Sequence, residues 1–165
     1  MSTNSTRARS VIERLSIRGW RLALAESCTG GLISATITSE SGASSILEAS
    51  ITAYANEAKE ALLGVPKQMM IDHGAVSAQV ALHMAQAAQR AAASDVGLGV
   101  TGVAGPGGGT VDKPVGRIYL AVTSPNGELS TEFNFTGDRD AVRDQTVTAA
   151  LDALLTVAEG ADGSP

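Results

Sequence analysis

The sequence has few aromatic residues, one cysteine, and no basic or long apolar run. Of its 165 residues, 3% are aromatic, and the net charge is −5 without any cluster of Lys or Arg. That charge pattern disfavours binding along a nucleic-acid backbone. The single cysteine excludes an internal disulfide, which is typical of a reducing compartment. Residues 1–6 are polar and lack the apolar core of a signal peptide, and no run approaches bilayer-spanning length. We therefore expect a cytoplasmic protein without membrane association.

The hydrophobic content, 44%, is carried mainly by Ala, Val, Leu and Ile. Such an aliphatic core suits close packing of helices on a sheet, and the length fits one domain spanning 1–165. Strands alternate with helices along the chain and are followed by a hairpin. The pattern predicts an α/β fold, a three-layer α/β/α sandwich with a mixed, mostly parallel sheet. Its core is expected over about 8–158, with a flexible polar N-terminus and a flexible tail after Gly160.

The periodicity and turn signals place the boundaries of these elements. The predicted helices cover 7–18, 29–39, 56–63, 78–93 and the region from Asp138 onward, with one further turn of helix before His73. The predicted strands cover 21–26, 49–54, 96–101, 117–123 and 129–135.

Residues 25–31, Ala-Glu-Ser-Cys-Thr-Gly-Gly, stand between the first strand and the next helix. A strand that ends in small hydroxyl residues presents them at the carboxyl edge of the sheet. The following helix N-terminus is expected to offer free N–H groups to an anion. We interpret Ser27 as a nucleophile. Cys28 is a rival because a thiolate at a helix start is activated, although a small buried residue is the more common role.

Thr101 ends the third strand and leads into a loop with five glycines in eight residues, 102–109. Glycines let backbone N–H groups approach a phosphate or an oxyanion. The loop lacks the Gly-Lys-Ser/Thr of a nucleoside-triphosphate site and the spacing of a dinucleotide fingerprint. A tight connection between strands is the alternative interpretation.

A serine nucleophile needs a base. Neither His73 nor His83 follows a strand end. Lys59 lies one turn into the helix after the strand that ends at Tyr54, and a desolvated lysine can act as a base. On spacing alone, a solvated surface charge is the more common role for Lys59.

Other polar groups are less informative. Arg139 and Arg143 are four residues apart on the last helix and could meet a phosphate, or could pair with neighbouring aspartates on the surface. Ser44 and Ser45 belong to a small polar loop that could lie near a ligand or be simply solvated. The two histidines and the scattered carboxylates have no metal-ligand spacing.

Six motifs together resemble the CinA C-terminal domain family, whose stand-alone form is nicotinamide mononucleotide (NMN) deamidase. The resemblance runs in order over about residues 8–158, through motifs at 25–31, 54–59, 73–77, 100–110, 113–116 and 137–143. It departs from the family pattern at 41–50, where Ser41-Gly42-Ala43-Ser44 and Ala49-Ser50 replace a Pro-Gly-Ser-Ser-like loop and a Gly-Gly pair.

The resemblance implies hydrolysis of the NMN carboxamide to nicotinate mononucleotide and ammonia, without a metal or an organic cofactor. It also implies a homodimer, with NMN as the small-molecule partner. Ser27 matches the nucleophile, and Lys59 with Tyr54 matches the base side. The residues expected to bind substrate are Cys28, Thr29, Gly30, Gly31, Ser44, Ser45, Thr101, Gly102, Gly105, Gly107, Gly108, Arg139 and Arg143.

The mechanistic hypothesis is that Lys59, neutral and placed by Tyr54, takes the Ser27 proton while backbone N–H groups near Cys28, Thr29 or Gly102 hold the oxyanion. The departure at 41–50 motivates one alternative, a nucleotide-binding or regulatory module with little turnover. A second alternative is an amidase that acts on a different pyridine or nucleotide amide.

Overall fold

The computed structural model describes residues 3–159 and contains one five-stranded sheet in the order β2-β1-β3-β4-β5. The strands are β1 (Leu22–Glu26), β2 (Leu47–Thr52), β3 (Val96–Gly102), β4 (Arg117–Ser124) and β5 (Gly127–Asn134). The helices are α1 (Thr3–Arg18), α2 (Leu32–Thr38), α3 (Asn56–Leu63), α4 (Lys67–His73), α5 (Ala78–Ala92) and α6 (Arg139–Glu159), and a 3₁₀ turn covers Ala43–Ser45.

The sheet is mixed, and four of its strands point in one direction. β1 pairs in parallel with both β2 and β3, whereas β4 runs antiparallel to its neighbours β3 and β5. In the register of the central strands, Glu26 lies beside Thr52 on one side and Val100 on the other. The segments that follow these three strands therefore emerge at the same edge of the sheet, which is where ligand sites form in open α/β sheets.

Helices α1, α2 and α6 cover one face of the sheet. Their apolar residues, such as Leu15, Ile33 and Leu154, are fully buried against Leu24 and Leu98 of the central strands. The aliphatic core predicted from the composition forms this layer.

Helix α5 covers the opposite face and approaches β3 very closely. A Cβ added at Gly97 or Gly99 would lie 2.2 Å from the carbonyl oxygen of Ala85 or Ala81, respectively. Only glycine at these two strand positions allows this approach. Helices α3 and α4 pack on α5, and the fold has three layers, as the alternating pattern predicts.

Several boundaries differ from the sequence prediction; for example, α2 begins at Leu32 rather than at residue 29, and β5 begins at Gly127 rather than at residue 129. Helix α1 begins at Thr3 rather than at residue 7, because Asn4 is buried and its side-chain amide donates to Asp144 of α6 at 3.1 Å. Strand β2 begins and ends two residues earlier than predicted, so Tyr54 lies beyond the strand. The predicted flexible tail after Gly160 lies outside the described residues. Among residues 3–159, no helix is long and apolar enough to cross a membrane.

Candidate active site

A pocket of about 270 Å³ opens at the edge of the sheet where β1 and β3 end. The structure brings ten of the predicted site residues to its wall: Ser27, Cys28, Tyr54, Lys59, Thr101, Gly102, Gly105, Gly107, Gly108 and Arg139. The wall also contains five residues that the sequence analysis did not single out: Asn56, Ala75, Val76, Val103 and Ala104.

Ser27 and Lys59 meet at a single acceptor, the backbone carbonyl oxygen of Tyr54. The Ser27 hydroxyl donates to this oxygen at 3.5 Å, and the Lys59 Nζ donates to it at 3.2 Å. The serine oxygen and the lysine nitrogen therefore cannot be farther apart than the sum of these two distances. The serine bond is at the long limit of hydrogen bonding and is easily exchanged for another partner.

Lys59 is buried, with a relative exposure of 2%. Removal from water lowers the pKa of this lysine below its ordinary value, and electrostatic interactions with Cys28 and Glu57 act in the opposite direction. The surface role that spacing alone favoured is therefore wrong. A buried amine with a lowered pKa, which shares an acceptor with a serine hydroxyl, has the properties of a general base.

Tyr54 positions Lys59 through its backbone, whereas the residue as a whole is 55% exposed. The phenol oxygen accepts a hydrogen bond from Arg139 Nη2 at 2.7 Å, and Arg139 Nη1 donates to the carbonyl of Gly105 at 2.6 Å. Arg139 thus connects the ring of Tyr54 to the glycine loop across the pocket.

The expectation of free N–H groups at the start of α2 is wrong, because a carboxylate of the same chain occupies them. Glu26 is fully buried, and its oxygens accept from the N–H groups of Gly31, Ile33 and Ser34 at 2.8–3.1 Å. The hydroxyl of Thr29 donates to the same carboxylate at 2.6 Å. The positive end of this helix stabilises Glu26 and is not available to a ligand.

Four residues predicted to bind substrate, Thr29, Gly30, Gly31 and Arg143, are not part of the pocket wall. Thr29 is fully buried against Glu26, and Gly30 and Gly31 continue the same turn. Arg143 donates to the carbonyl oxygen of Thr29 at 2.9 Å and holds the turn from the side of α6. The structure gives these residues contacts to the turn rather than to the pocket.

The structure does not bring Ser44 and Ser45 to this pocket. They precede β2, whose first residue, Leu47, lies beside Leu22 at the amino end of β1. Because the two strands are parallel, this loop lies at the opposite edge of the sheet from Ser27. The hydroxyl of Ser45 instead contacts Ser16 of α1 at 2.8 Å.

Cys28 and Thr101 support the pocket wall as neutral groups. Burial raises the pKa of the Cys28 thiol to about 12, so the thiol carries its proton at neutral pH and is a poor nucleophile. The hydroxyl of Thr101 donates to the carbonyl oxygen of Ala75 at 2.9 Å and anchors the segment between α4 and α5.

Within the described chain, the wall contains two basic residues, Lys59 and Arg139. A protein with a net charge of −5 thus has a pocket wall without a carboxylate. This arrangement favours an anionic ligand. Groups of three or more His, Cys, Asp or Glu that could hold a metal ion are absent from residues 3–159.

One functional residue that the sequence analysis missed, Glu26, could have been found from a local sequence pattern. An acidic residue at the end of a buried strand, just before a helix, is typical of a group that binds helix N-terminal N–H groups, and Glu26 fits that pattern. Ala75 and Val76 carried no signal beyond the family motif at 73–77, because apolar residues between two helices do not indicate which edge of a sheet they approach.

A layered sheet with a polar pocket at the carboxyl edge of its parallel strands defines the class of three-layer α/β/α proteins. Within that class, the profile of the CinA C-terminal domain matches residues 4–158. The chain belongs to the CinA C-terminal domain family.

Curated relatives agree with this assignment. A CinA-like protein of Anaeromyxobacter dehalogenans is 49% identical over 144 residues, which are 87% of this chain and 35% of the relative. A CinA-like protein of Citrifermentans bemidjiense is 54% identical over 137 residues, 82% of this chain and 33% of the relative. The chain therefore spans about a third of the length of these relatives.

Solved structures of other proteins are similar to this chain over nearly their whole length. The competence/damage inducible protein of Agrobacterium tumefaciens is 38% identical with a TM-score of 0.91, covering 94% of this chain and 95% of that chain. A CinA superfamily protein of Klebsiella pneumoniae is 30% identical with a TM-score of 0.92, covering 96% of this chain and 99% of that chain.

Proposed function

We propose that this chain is an amidase that hydrolyses the carboxamide of NMN to nicotinate mononucleotide and ammonia. The observation that carries the proposal is the shared acceptor of Ser27 and Lys59 in a pocket where burial lowers the pKa of the lysine. A hydroxyl next to a desolvated amine is the arrangement that activates a serine nucleophile.

In the proposed reaction, neutral Lys59 accepts the Ser27 proton as the serine oxygen attacks the carboxamide carbon. The N–H group of Cys28, which follows the nucleophile, is the candidate donor to the oxyanion. Protonated Lys59 then returns its proton to the departing nitrogen, and ammonia leaves a nicotinoyl ester on Ser27. Water, deprotonated by Lys59, hydrolyses this ester and restores the serine.

The choice of a nucleotide substrate rests on the charge of the pocket and on the family resemblance. NMN carries a phosphate, and the described pocket wall has two basic residues, Lys59 and Arg139, and no carboxylate. Arg139 supplies the positive charge when Lys59 is neutral and acts as the base. The names of the curated and solved relatives refer to CinA, competence or damage and specify no reaction.

The test is ammonia release from NMN by the purified protein, measured beside Ser27→Ala. We expect release by the wild type and none above background by the variant. Ser130→Ala, an exposed serine of β5, is the matched control and should match the wild type. Equal release by Ser27→Ala and wild type would show that another residue is the nucleophile.

A panel of other pyridine and nucleotide amides tests the substrate. Faster turnover of one of these amides than of NMN would keep the mechanism and change the substrate.

Binding of NMN without ammonia release would instead favour a binding or regulatory module. The long Ser27 hydrogen bond, which points to the Tyr54 carbonyl rather than to Lys59, is the observation that favours this second function.

A further inference from the structure

Gly107 is a glycine that the fold does not explain. Among the glycines of residues 3–159, eleven have a positive φ, which disfavours a side chain whatever the space. Of the others, Gly97, Gly99, Gly102 and Gly109 would each bring an added Cβ within 3.0 Å of a neighbouring atom. Gly107 has no positive φ, and an added Cβ there would have no atom within 4 Å.

The loop around Gly107 is held on both sides. Arg139 binds the carbonyl oxygen of Gly105, and the Nζ of Lys113 donates to the carbonyl oxygen of His73 at 2.5 Å. Val115 packs closely against this loop. A Cβ added at Gly105 would lie 2.5 Å from the side chain of Val115, and a Cβ added at Gly109 would lie 2.8 Å from its backbone nitrogen. These contacts anchor the loop on both sides of Gly107. Gly107 itself lies on the pocket wall.

The backbone of this segment has unused donors. The N–H groups of Gly107, Gly108 and Gly109 donate to no backbone carbonyl in the described chain, and the next such bond is from Thr110 to Lys113 at 2.9 Å. Consecutive free N–H groups without side chains are suited to an anion that approaches the backbone closely. Arg139, bound to the same loop through Gly105, adds a positive charge nearby.

We infer that Gly107 is a specificity-determining position at which a phosphate monoester of the ligand lies against the backbone, within reach of the N–H groups of 107–109. The missing Cβ is required by the ligand and not by the fold. This inference deepens the proposed function, since it assigns one part of the nucleotide to one wall of the pocket. The start of α2 is closed to that phosphate by Glu26.

The first test separates a requirement of the fold from a requirement of the ligand. Without ligand, Gly107→Ala should unfold within about 2 °C of the wild type, because its backbone conformation and surroundings accept a methyl group. The control is Val111→Ala, a fully exposed residue of the same loop outside the pocket wall. A clear fall in the melting temperature of Gly107→Ala would overturn the inference.

The second test is calorimetric binding of NMN and of unphosphorylated nicotinamide riboside, in a Ser27→Ala background that prevents turnover. Adding Gly107→Ala should weaken NMN binding about 10-fold or more, the usual scale for charge-assisted hydrogen bonds, and leave riboside binding unchanged. Adding Val111→Ala should change neither. Unchanged NMN binding, or equal weakening of both ligands, would overturn the assignment of the phosphate to Gly107.

These outcomes are distinguishable from failure of the proposed function. If wild type releases no ammonia, the amidase proposal fails, and the binding experiment still decides the phosphate position with NMN, AMP or inorganic phosphate as the probe. If the wild type binds none of these three, the inference is overturned.

Discussion

Burial of Lys59 has a thermodynamic cost that its proposed role explains. The pKa of Lys59 is lower in the folded state than in the unfolded state, so between the two values the folded lysine is neutral and the unfolded lysine is protonated. At lower pH the folded protein must bury the charged form. Burial of Lys59 therefore destabilises the protein most at low pH. The destabilisation is complete below the folded-state pKa, shrinks as the pH rises above it, and vanishes above the unfolded value of 10.5.

Lys59→Met should therefore stabilise the protein and inactivate it. We expect the free energy of unfolding to rise by about 1 kcal/mol at neutral pH, with the gain shrinking as the pH increases, and turnover to fall about 10²–10⁴-fold. Denaturant unfolding and ammonia release measure the two effects. Lys67→Met, at an exposed lysine of α4, is the control. A destabilised Lys59→Met protein would contradict this account of the buried amine.

The ring of Tyr54 has a smaller predicted role than its backbone. Tyr54→Phe retains the carbonyl that holds Ser27 and Lys59 and removes one hydrogen bond to Arg139. One such bond corresponds to less than about a 10-fold change in kcat/KM. Tyr119→Phe, on the α5 side of the sheet, is the matched control. A loss above about 100-fold would mean that the phenol itself takes part in the reaction.

Helical periodicity contained a signal for Lys59 that its spacing from Tyr54 did not. Lys59 and Leu63 are the buried residues of α3 and are four positions apart, so the lysine lies on the apolar face of the helix. A lysine at a buried helical position is rare unless its charge is paired, so such a position is informative. The hydrogen bond of Lys59 to the Tyr54 carbonyl could not be predicted, because it depends on where β2 ends.

At the scale of elements, the turn between β1 and α2 depends on Glu26. Glu26→Gln replaces one oxygen by a donor that faces the N–H groups of the helix and removes the charge. We expect the free energy of unfolding to fall by about 2 kcal/mol. Denaturant unfolding measures this free energy. The control is Glu13→Gln, at an exposed residue of α1, which should change the free energy of unfolding by less than about 0.5 kcal/mol. Equal stability of the two variants would show that the carboxylate is dispensable.

Prediction of single elements succeeded where the sequence pattern is local. The start of α5 was predicted at residue 78, and the structure has Ser77 as its cap, with the Ser77 Oγ accepting from the N–H of Val80 at 3.3 Å. The loop with Ser44 and Ser45 was misplaced because its position depends on the direction of β2 relative to β1. That direction is a property of the assembled sheet and not of the loop sequence.

At the scale of the whole molecule, the buried thiol of Cys28 makes the folded state less stable at alkaline pH. The thiol of Cys28 has a pKa of about 12 in the folded state and 9.0 when freely solvated, so the unfolded chain loses its proton first. The stability contributed by the neutral thiol is complete below pH 9.0 and is lost as the pH rises toward about 12.

The measurement is the free energy of unfolding of the wild type and of Cys28→Ala at about pH 7 and about pH 10. Between these values the wild type should lose about 1 kcal/mol more than the variant, because the unfolded thiol ionises in this interval. The difference between the two proteins removes the contributions of the groups that both retain, apart from Lys59, which is electrostatically coupled to Cys28. An equal loss would show that the thiol ionises as readily in the folded state.

The fold class was predictable because the aliphatic composition and the alternation of strands with helices both favour one architecture. The α/β/α layers and the mixed sheet are confirmed. The contact of α5 with β3 was not foreseen, since Gly97 and Gly99 look in the sequence like weak points of a strand. They are explained only by the carbonyl groups of Ala81 and Ala85, which no local pattern places opposite them.

The carboxylate of Glu26 has a consequence for the design of inhibitors. A helix end next to the proposed nucleophile, Ser27, would normally be the first place to direct an acidic group of an inhibitor. Here such a group would compete with a carboxylate that is tethered to the same turn, and a tethered group has an effective concentration that a free ligand rarely matches. Acidic groups are better directed to the glycine loop across the pocket.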